Sequence, residues 1–259
     1  TKYGSPMLYS VFDLRVGRSL EVSGEWLPAE VAVYEVLLES SSGGVAVEVG
    51  AHIGALTVPL GLLVGPRGRI IALEADRVNA QLLSANVALA QLLHVEVLQA
   101  TVGATAGTAD VEDDVASRIS FGTPSSRQAR RRISRLTIDK LTSRLPRLDL
   151  LKISAIAEPP SSALLGAKQA LGRFRPWLLV EVSPSHGPEA VEQIAAELGY
   201  ECGRCDMPVS SGSAPAAQAD AMVRDVLCGH SAQSGARAAL RRGLAACAAA
   251  ATDGTSADS

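Results

Sequence analysis

The chain has 259 residues, of which 47% are hydrophobic, and this is enough apolar content for one sizeable hydrophobic core. Its formal net charge of −3 argues against a general nucleic-acid-binding role. No apolar run approaches the roughly 20 residues that a membrane-spanning helix needs. We therefore expect a globular domain that binds neither nucleic acid nor membrane.

The chain alternates between predicted strands and predicted helices. The first helix is predicted over 28–38, because proline at position 28 suits the first turn of a helix. The clearest helical periodicity covers 78–93. Strands are predicted at 45–49, 69–73, 95–100, 148–153 and 177–182. This alternation predicts an α/β fold with a parallel sheet, helices on both faces and right-handed crossovers.

The most informative segment is Glu48-Val-Gly-Ala-His-Ile-Gly54, which follows an apolar strand and precedes an apolar helix. Gly50 permits a tight turn, and Gly54 permits close packing of the helix against the strand or a ligand. Crevices at the carboxyl ends of such strands bind nucleotide-like cofactors. However, His52 stands where the dinucleotide-binding fingerprint has its middle glycine. An oxidoreductase that binds a nicotinamide dinucleotide is therefore the least favoured function.

The second predicted strand ends in Glu74, so a carboxylate follows the glycine turn and one crossover helix. A carboxylate in this place can accept hydrogen bonds from both hydroxyls of a ribose. The alternative is a solvated glutamate at the end of a strand. The glycine turn upstream favours the ribose interpretation.

The turn at 48–54 and the segment Val64-Gly-Pro-Arg-Gly-Arg-Ile-Ile-Ala-Leu-Glu74-Ala-Asp76 together resemble the FkbM family of S-adenosylmethionine-dependent methyltransferases. The similarity covers about residues 10–205 in the family's order, with further similar segments at 16–21, 24–26, 99–103, 136–141, 149–153 and 167–181. The resemblance implies a Rossmann-like class I methyltransferase fold, whose mostly parallel sheet ends in antiparallel strands near 200–204 and 223–228. It also implies S-adenosylmethionine as the cofactor, bound by Glu48, Gly50, Ala51, His52, Gly54 and Glu74.

One loop departs from the family. Where the family has Lys-Ile-Asp-x-Glu-Gly, this chain has Lys152-Ile-Ser-Ala-Ile-Ala157, and two carboxylates are missing beside the expected position of the transferred methyl group. The remaining candidates for catalytic contacts are Ser154 and Glu158. Two hypotheses stay open. One is an O-methyltransferase for a small hydroxylated acceptor such as a sugar or a polyketide-like metabolite. The other is a catalytically impaired relative that acts as a binding or interaction module.

A charged segment lies between positions 110 and 134, with acidic residues in its first part and four arginines at 127–132, and a fifth arginine follows at 135. It is predicted to be a solvated loop or insertion in which opposite charges are in partial contact. The alternative is that the arginines attract an anionic acceptor, because guanidinium groups suit phosphate and carboxylate.

The four cysteines show no disulfide framework, so free thiols and a reducing, cytoplasmic location are expected. Cys202 and Cys205 have zinc-site or redox spacing but lack a matching second pair, and we expect no metal site. We divide the chain into an N-terminal segment (1–44), a methyltransferase domain (45–230) and an Ala/Ser-rich, flexible tail (231–259). Within the tail, a short helix is predicted over 237–251.

Overall fold

A computed structural model of the chain describes residues 1–39, 43–112, 130–154, 159–183, 187–209 and 222–253, with side chains to Ala249. Ten strands occur in these ranges: β1 (Val45–Val49), β2 (Arg69–Glu74), β3 (Val95–Gln99), β4 (Thr101–Val102), β5 (Gly107–Glu112), β6 (Arg130–Leu136), β7 (Leu150–Ile153), β8 (Trp177–Val182), β9 (Tyr200–Pro208) and β10 (Met222–His230).

Seven of the strands form one sheet in the order β3-β2-β1-β7-β8-β10-β9. The first five are parallel, and β10 runs antiparallel to both β8 and β9. The predicted parallel strands are confirmed to within two residues at each end. The antiparallel pair that the family resemblance implied is confirmed as well, although each strand is longer than expected.

The described helices are α1 (Val16–Ser23), α2 (Pro28–Leu38), α3 (Thr57–Val64), α4 (Arg77–Leu89), α5 (Ile138–Thr142), α6 (Pro160–Leu165), α7 (Lys168–Phe174), α8 (Pro188–Glu197) and α9 (Ala236–Asp253). The predicted helix at 28–38 is confirmed, with Pro28 in its first turn. At the start of α4, the Asp76 carboxylate accepts hydrogen bonds from the backbone N–H groups of Val78 and Asn79, which satisfies donors that a helix leaves unpaired.

Hydrophobic cores cover both faces of the sheet, and the central strand β1 shows why. Ala46 packs into the core that includes residues of α2, α3, α4 and α9. Val45, Val47 and Val49 point to the opposite face and join residues of α5, α6, α7 and α8. Successive side chains of a strand alternate between the two faces, so a strand buried on both sides reads as a continuous apolar run. Glu48 interrupts that run on the α2 face.

A second, three-stranded sheet has the order β4-β6-β5. β5 and β6 pair antiparallel, which corrects the loop predicted for their part of the charged segment. The predicted contacts between opposite charges are confirmed by ion pairs of Arg130 with Glu112 at 3.5 Å and of Arg132 with Asp110 at 3.3 Å. Positions 113–129 lie outside the described residues.

The C-terminal helix is confirmed as α9, but the flexible tail expected from residue 231 needs correction. Ala236, Leu240 and Cys247 are buried in the core on the α2 face, so α9 is part of the folded unit. The flexible tail was predicted because the alanine-rich composition of α9 resembles a low-complexity segment and because its apolar stripe is short. Positions 254–259 lie outside the described residues.

The expectation of free thiols is wrong. Cys202 is joined to Cys228 and Cys205 to Cys247, and no cysteine is free. Cys202 and Cys228 are directly paired residues of β9 and β10, whereas Cys205 ties β9 to α9. The sequence alone did not show these pairs because they join residues 26 and 42 positions apart. Within the described ranges, no helix has the length and apolar content needed to span a membrane.

Candidate functional site

A cleft of about 970 Å³ lies at the carboxyl ends of β1, β2, β7 and β8. Its lining includes Glu48, Gly50, Ala51, His52 and Glu74, so the structure brings together five of the six residues predicted to bind the cofactor. Parallel strands place their carboxyl ends at one edge of a sheet, where α/β proteins bind their ligands. The cleft is therefore where the order of the strands predicts a site.

The glycine turn after β1 is held against β2 by its backbone. The N–H groups of Gly50 and Ala51 both donate to the carbonyl oxygen of Leu73 at 2.9 Å. Gly50 has φ 77° and His52 has φ 52°, both in the left-handed region. Asn, Asp and His adopt that region more often than most side chains, which explains how a histidine is accommodated at this position. His52 lies at the edge of the cleft and is half-buried.

Glu74 is buried at the end of β2 and faces the glycine turn. Its Oε2 accepts the backbone N–H of His52 at 2.7 Å, and its Oε1 accepts that of Asp76 at 2.8 Å. Burial raises the pKa of this carboxyl group, and the two backbone hydrogen bonds oppose the rise. An ionised carboxylate has about four lone-pair sites, so both oxygens can still accept a ligand hydroxyl.

Glu48 is fully buried on the cleft side of β1. The Thr57 hydroxyl donates to its Oε2 at 2.6 Å. Burial raises the pKa of Glu48 to about 7, and the nearby Lys152 ammonium lowers it in part. The carboxyl group therefore changes charge near neutral pH, where it can hold or release a proton beside the cleft.

Beneath α2 lies a buried cluster of charged groups. The Lys152 ammonium is 2.6 Å from Glu30 Oε1, and both side chains are at most 4% exposed. Tyr34 also donates its hydroxyl hydrogen to Glu30. Burial lowers the pKa of Lys152, but Glu30 and Glu48 outweigh this and hold the pKa above its usual value. Burial also raises the pKa of Asp225, whose Oδ2 accepts no hydrogen bond from any described residue.

The far end of the cleft is formed by β7 and β8. Ser154 follows β7 and lines the cleft, and its backbone N–H donates to the Val49 carbonyl at 2.8 Å. Glu181, near the end of β8, lines the cleft beside it. The remaining loop residues 155–158 lie outside the described residues, and with them the candidate Glu158.

Gly54 differs from the other predicted binding residues because it is not among those that line the cleft. A Cβ atom on Gly54 would lie 2.7 Å from Cδ1 of Leu83 in α4. The structure therefore places Gly54 in close contact with α4, a packing partner that the sequence analysis did not name.

Other cleft residues were not predicted from the sequence. The segment 12–16 and Trp26 cover the cleft from the N-terminal side, and β5 and β6 contribute Asp110, Val111, Glu112 and Arg130. Asp13 accepts the backbone N–H groups of Arg15 and Val16 with Oδ1, while its buried Oδ2 has no partner among the described residues. The one sequence signal for the N-terminal part was the similarity of residues 16–26 to the same part of the family.

The strand order, with its antiparallel pair at one edge, and the cleft beside the glycine turn define a Rossmann-like class I methyltransferase fold. The family model of the methyltransferase FkbM domain matches residues 48–203, which is more than half of the chain. The chain therefore belongs to the FkbM methyltransferase family. No curated protein sequence matches it.

Two solved structures with little sequence identity share the fold, and a third is similar. A precorrin-6y C5,15-methyltransferase from Geobacter metallireducens is 13% identical with a TM-score of 0.51, over 77% of this chain and 87% of that one. A precorrin 8w decarboxylase from Methanobacterium thermoautotrophicum is also 13% identical with a TM-score of 0.51, over 86% of this chain and 99% of that one. A methyltransferase FkbM from Methylobacillus flagellatus is 18% identical with a TM-score of 0.48, over 82% of this chain and half of that one.

The cofactor that this family membership indicates is S-adenosylmethionine, and the chain's residues fit it. The buried Glu74 carboxylate retains acceptor sites for two ribose hydroxyls, and the left-handed turn at Gly50 keeps side-chain bulk away from the cleft beside it. The cleft also has the size of a typical small-molecule site.

Proposed function

We propose that the protein transfers the methyl group of S-adenosylmethionine to an oxygen atom of a small hydroxylated acceptor, such as a sugar or a polyketide-like metabolite. The observation that carries this proposal is the buried Glu74 carboxylate, which the backbone of the glycine turn orients at the edge of a large cleft. We assign cofactor binding to Glu48, Gly50, Ala51, His52 and Glu74, and a packing role to Gly54.

When bound, S-adenosylmethionine supplies a methyl group that is already activated for displacement. The protein's residues then have to align the acceptor oxygen with that methyl group, for which effective molarities of about 10⁵–10⁸ M are the upper range. A group that takes the acceptor's proton adds roughly 10²–10⁴-fold. Lys152 on β7 and Ser154 at its end line the cleft, and we assign the acceptor to this side of it.

The second candidate function is a binding or interaction module that retains the cofactor but has lost efficient methyl transfer. It is favoured by the replacement of the family's Asp and Glu by Ser154 and Ile156. Ser154 lines the cleft, so its change from a carboxylate alters the site itself.

Calorimetric titration with S-adenosylmethionine is the first test. We expect one site per chain, and a folded protein that binds no cofactor would contradict both candidate functions. The second test is transfer of a labelled methyl group to a panel of hydroxylated metabolites. Transfer supports the first function. Binding without transfer supports the second, and the Ser154→Asp/Ile156→Glu variant should then regain turnover if this loop is the cause.

A further inference from the structure

The acceptor end of the cleft retains one carboxylate that the altered loop does not supply. Ile153 of β7 pairs with Val180 of β8, so the residues that follow them, Ser154 and Glu181, are neighbours at the carboxyl edge of the sheet. Both line the cleft. Glu181 therefore lies one strand away from the position where the family has its aspartate.

Charged groups on the neighbouring strands surround Glu181. Asp225 of β10 is its direct cross-strand partner. Lys152 of β7 lines the same cleft and is paired with Glu30 of α2, while Glu48 lies on β1 beyond it. Asp225 is buried, and its Oδ2 has no hydrogen-bond partner among the described residues, an environment that favours its neutral form. Asp225 and Glu181 face each other across the two strands, and Glu181 is the one that lines the cleft.

We infer that Glu181 is the catalytic carboxylate that accepts the acceptor's proton, and this inference rests on the proposed methyl transfer. The acceptor O–H bond breaks and its proton passes to an oxygen of Glu181 while the acceptor oxygen forms a bond to the methyl carbon. The S–C bond breaks and its electron pair stays on sulfur. The products are the methyl ether, S-adenosylhomocysteine and a protonated Glu181, which returns its proton to water.

An acceptor-independent test uses the charge of the cofactor. S-adenosylmethionine carries a sulfonium charge that S-adenosylhomocysteine lacks, so a carboxylate beside the methyl position favours the former. In Glu181→Gln we expect the ratio of the two affinities to fall about threefold or more, as measured by calorimetry. Glu96→Gln is the matched control, because it removes one charge from β3 outside the cleft and should leave the ratio unchanged.

Turnover with a sugar probe, methyl glucoside, and a phenol probe, tyrosol, gives the second readout. For any probe that the wild type methylates, Glu181→Gln should lower kcat by about 10²–10⁴-fold at saturating cofactor, and Glu181→Asp should restore part of the rate. An unchanged affinity ratio in Glu181→Gln overturns the inference while the proposed function stands. If neither probe is methylated, the ratio of the two affinities alone decides whether the inference holds. A wild type that binds no cofactor overturns the proposed function itself.

Discussion

The two carboxylates at the ends of β1 and β2 lie in one cleft but have different partners. Glu74 is held by two backbone N–H groups, which leave its outer lone pairs for a ligand. Glu48 accepts a hydroxyl hydrogen bond from Thr57 and is close to a buried ammonium group. The first arrangement suits recognition of hydroxyls, and the second suits a change of charge near neutral pH.

If Glu74 binds the ribose, its contribution should depend on the ribose hydroxyls. In the wild type we expect S-adenosylhomocysteine to bind about 10–100-fold more tightly than its 2′,3′-dideoxyribose analogue, because hydrogen bonds to a charged group are lost with the hydroxyls. In Glu74→Gln this ratio should shrink towards one. Any distortion of the turn affects both ligands equally, so the double-mutant cycle isolates the contact. The same ratio in both proteins would show that Glu74 does not hold the sugar.

The raised pKa of Glu48 predicts a pH dependence of stability. Between about pH 4.5 and about pH 7 the folded chain binds a proton that the unfolded chain has released, so the free energy of unfolding falls as pH rises. Glu48→Gln removes this term. Its free energy of unfolding relative to wild type should therefore increase across this window by up to about 3 kcal/mol, measured by urea denaturation. Glu197→Gln, at an exposed position, serves as the control. A difference in free energy of unfolding between Glu48→Gln and the wild type that does not vary with pH would contradict the raised pKa of Glu48.

The sequence identified these two carboxylates because each one ends an apolar strand. It did not identify the cluster of Glu30, Lys152 and Asp225, since those residues meet only when the strands are ordered in space. Glu181 was part of the family resemblance, but only its place beside Ser154 gives it a role.

At the scale of elements, the glycine turn connects β1 to α3 and also sets the distance to α4. Gly54 has φ 87° and faces Leu83, which is fully buried. An added methyl group has no room unless α4 or the Leu83 side chain moves.

We therefore expect Gly54→Ala to reduce the free energy of unfolding by more than Gly235→Ala. The two glycines have similar left-handed φ values, 87° and 76°, that disfavour alanine, but no described atom lies within 4 Å of a Cβ on Gly235. The excess cost in Gly54→Ala should be about 1–3 kcal/mol, the usual range for overpacking a core. Urea denaturation of the two variants measures it, and equal losses would show that α4 adjusts without cost.

The parallel strands were predictable because burial on both faces makes each one a continuous apolar run. β5 and β6 were missed for the opposite reason. Their exposed arginines and acidic residues pair with each other across the two strands, and this composition is also typical of a charged loop. The predicted attraction of an anionic acceptor is not supported for Arg130 and Arg132, since both already pair with carboxylates.

At the scale of the whole molecule, a helix from the N-terminal part and the last described helix meet on one face of the sheet. α9 packs beside α2 in the same hydrophobic core, and Cys247 joins it covalently to β9. Disulfides of this kind are typical of proteins that fold in an oxidising compartment. The cytoplasmic location, which was expected partly from free thiols, thereby loses that support and stays a prediction.

The disulfides should stabilise the fold without taking part in ligand binding. None of the four cysteines lines the cleft, so we expect Cys205→Ala/Cys247→Ala to bind S-adenosylmethionine as the wild type does. Its free energy of unfolding should fall by about 2–4 kcal/mol, because the unfolded chain regains the freedom of a loop that the bond had closed. The native Cys202–Cys228 bond closes a shorter loop, with a sequence separation of 26 rather than 42, so Cys202→Ala/Cys228→Ala should lose slightly less stability. Urea denaturation and calorimetry of both variants measure the two effects.

Free thiols in the native protein, detected by alkylation without reductant, would contradict the disulfide pairing. A loss of affinity for S-adenosylmethionine in either variant would connect the edge of the sheet to the cleft.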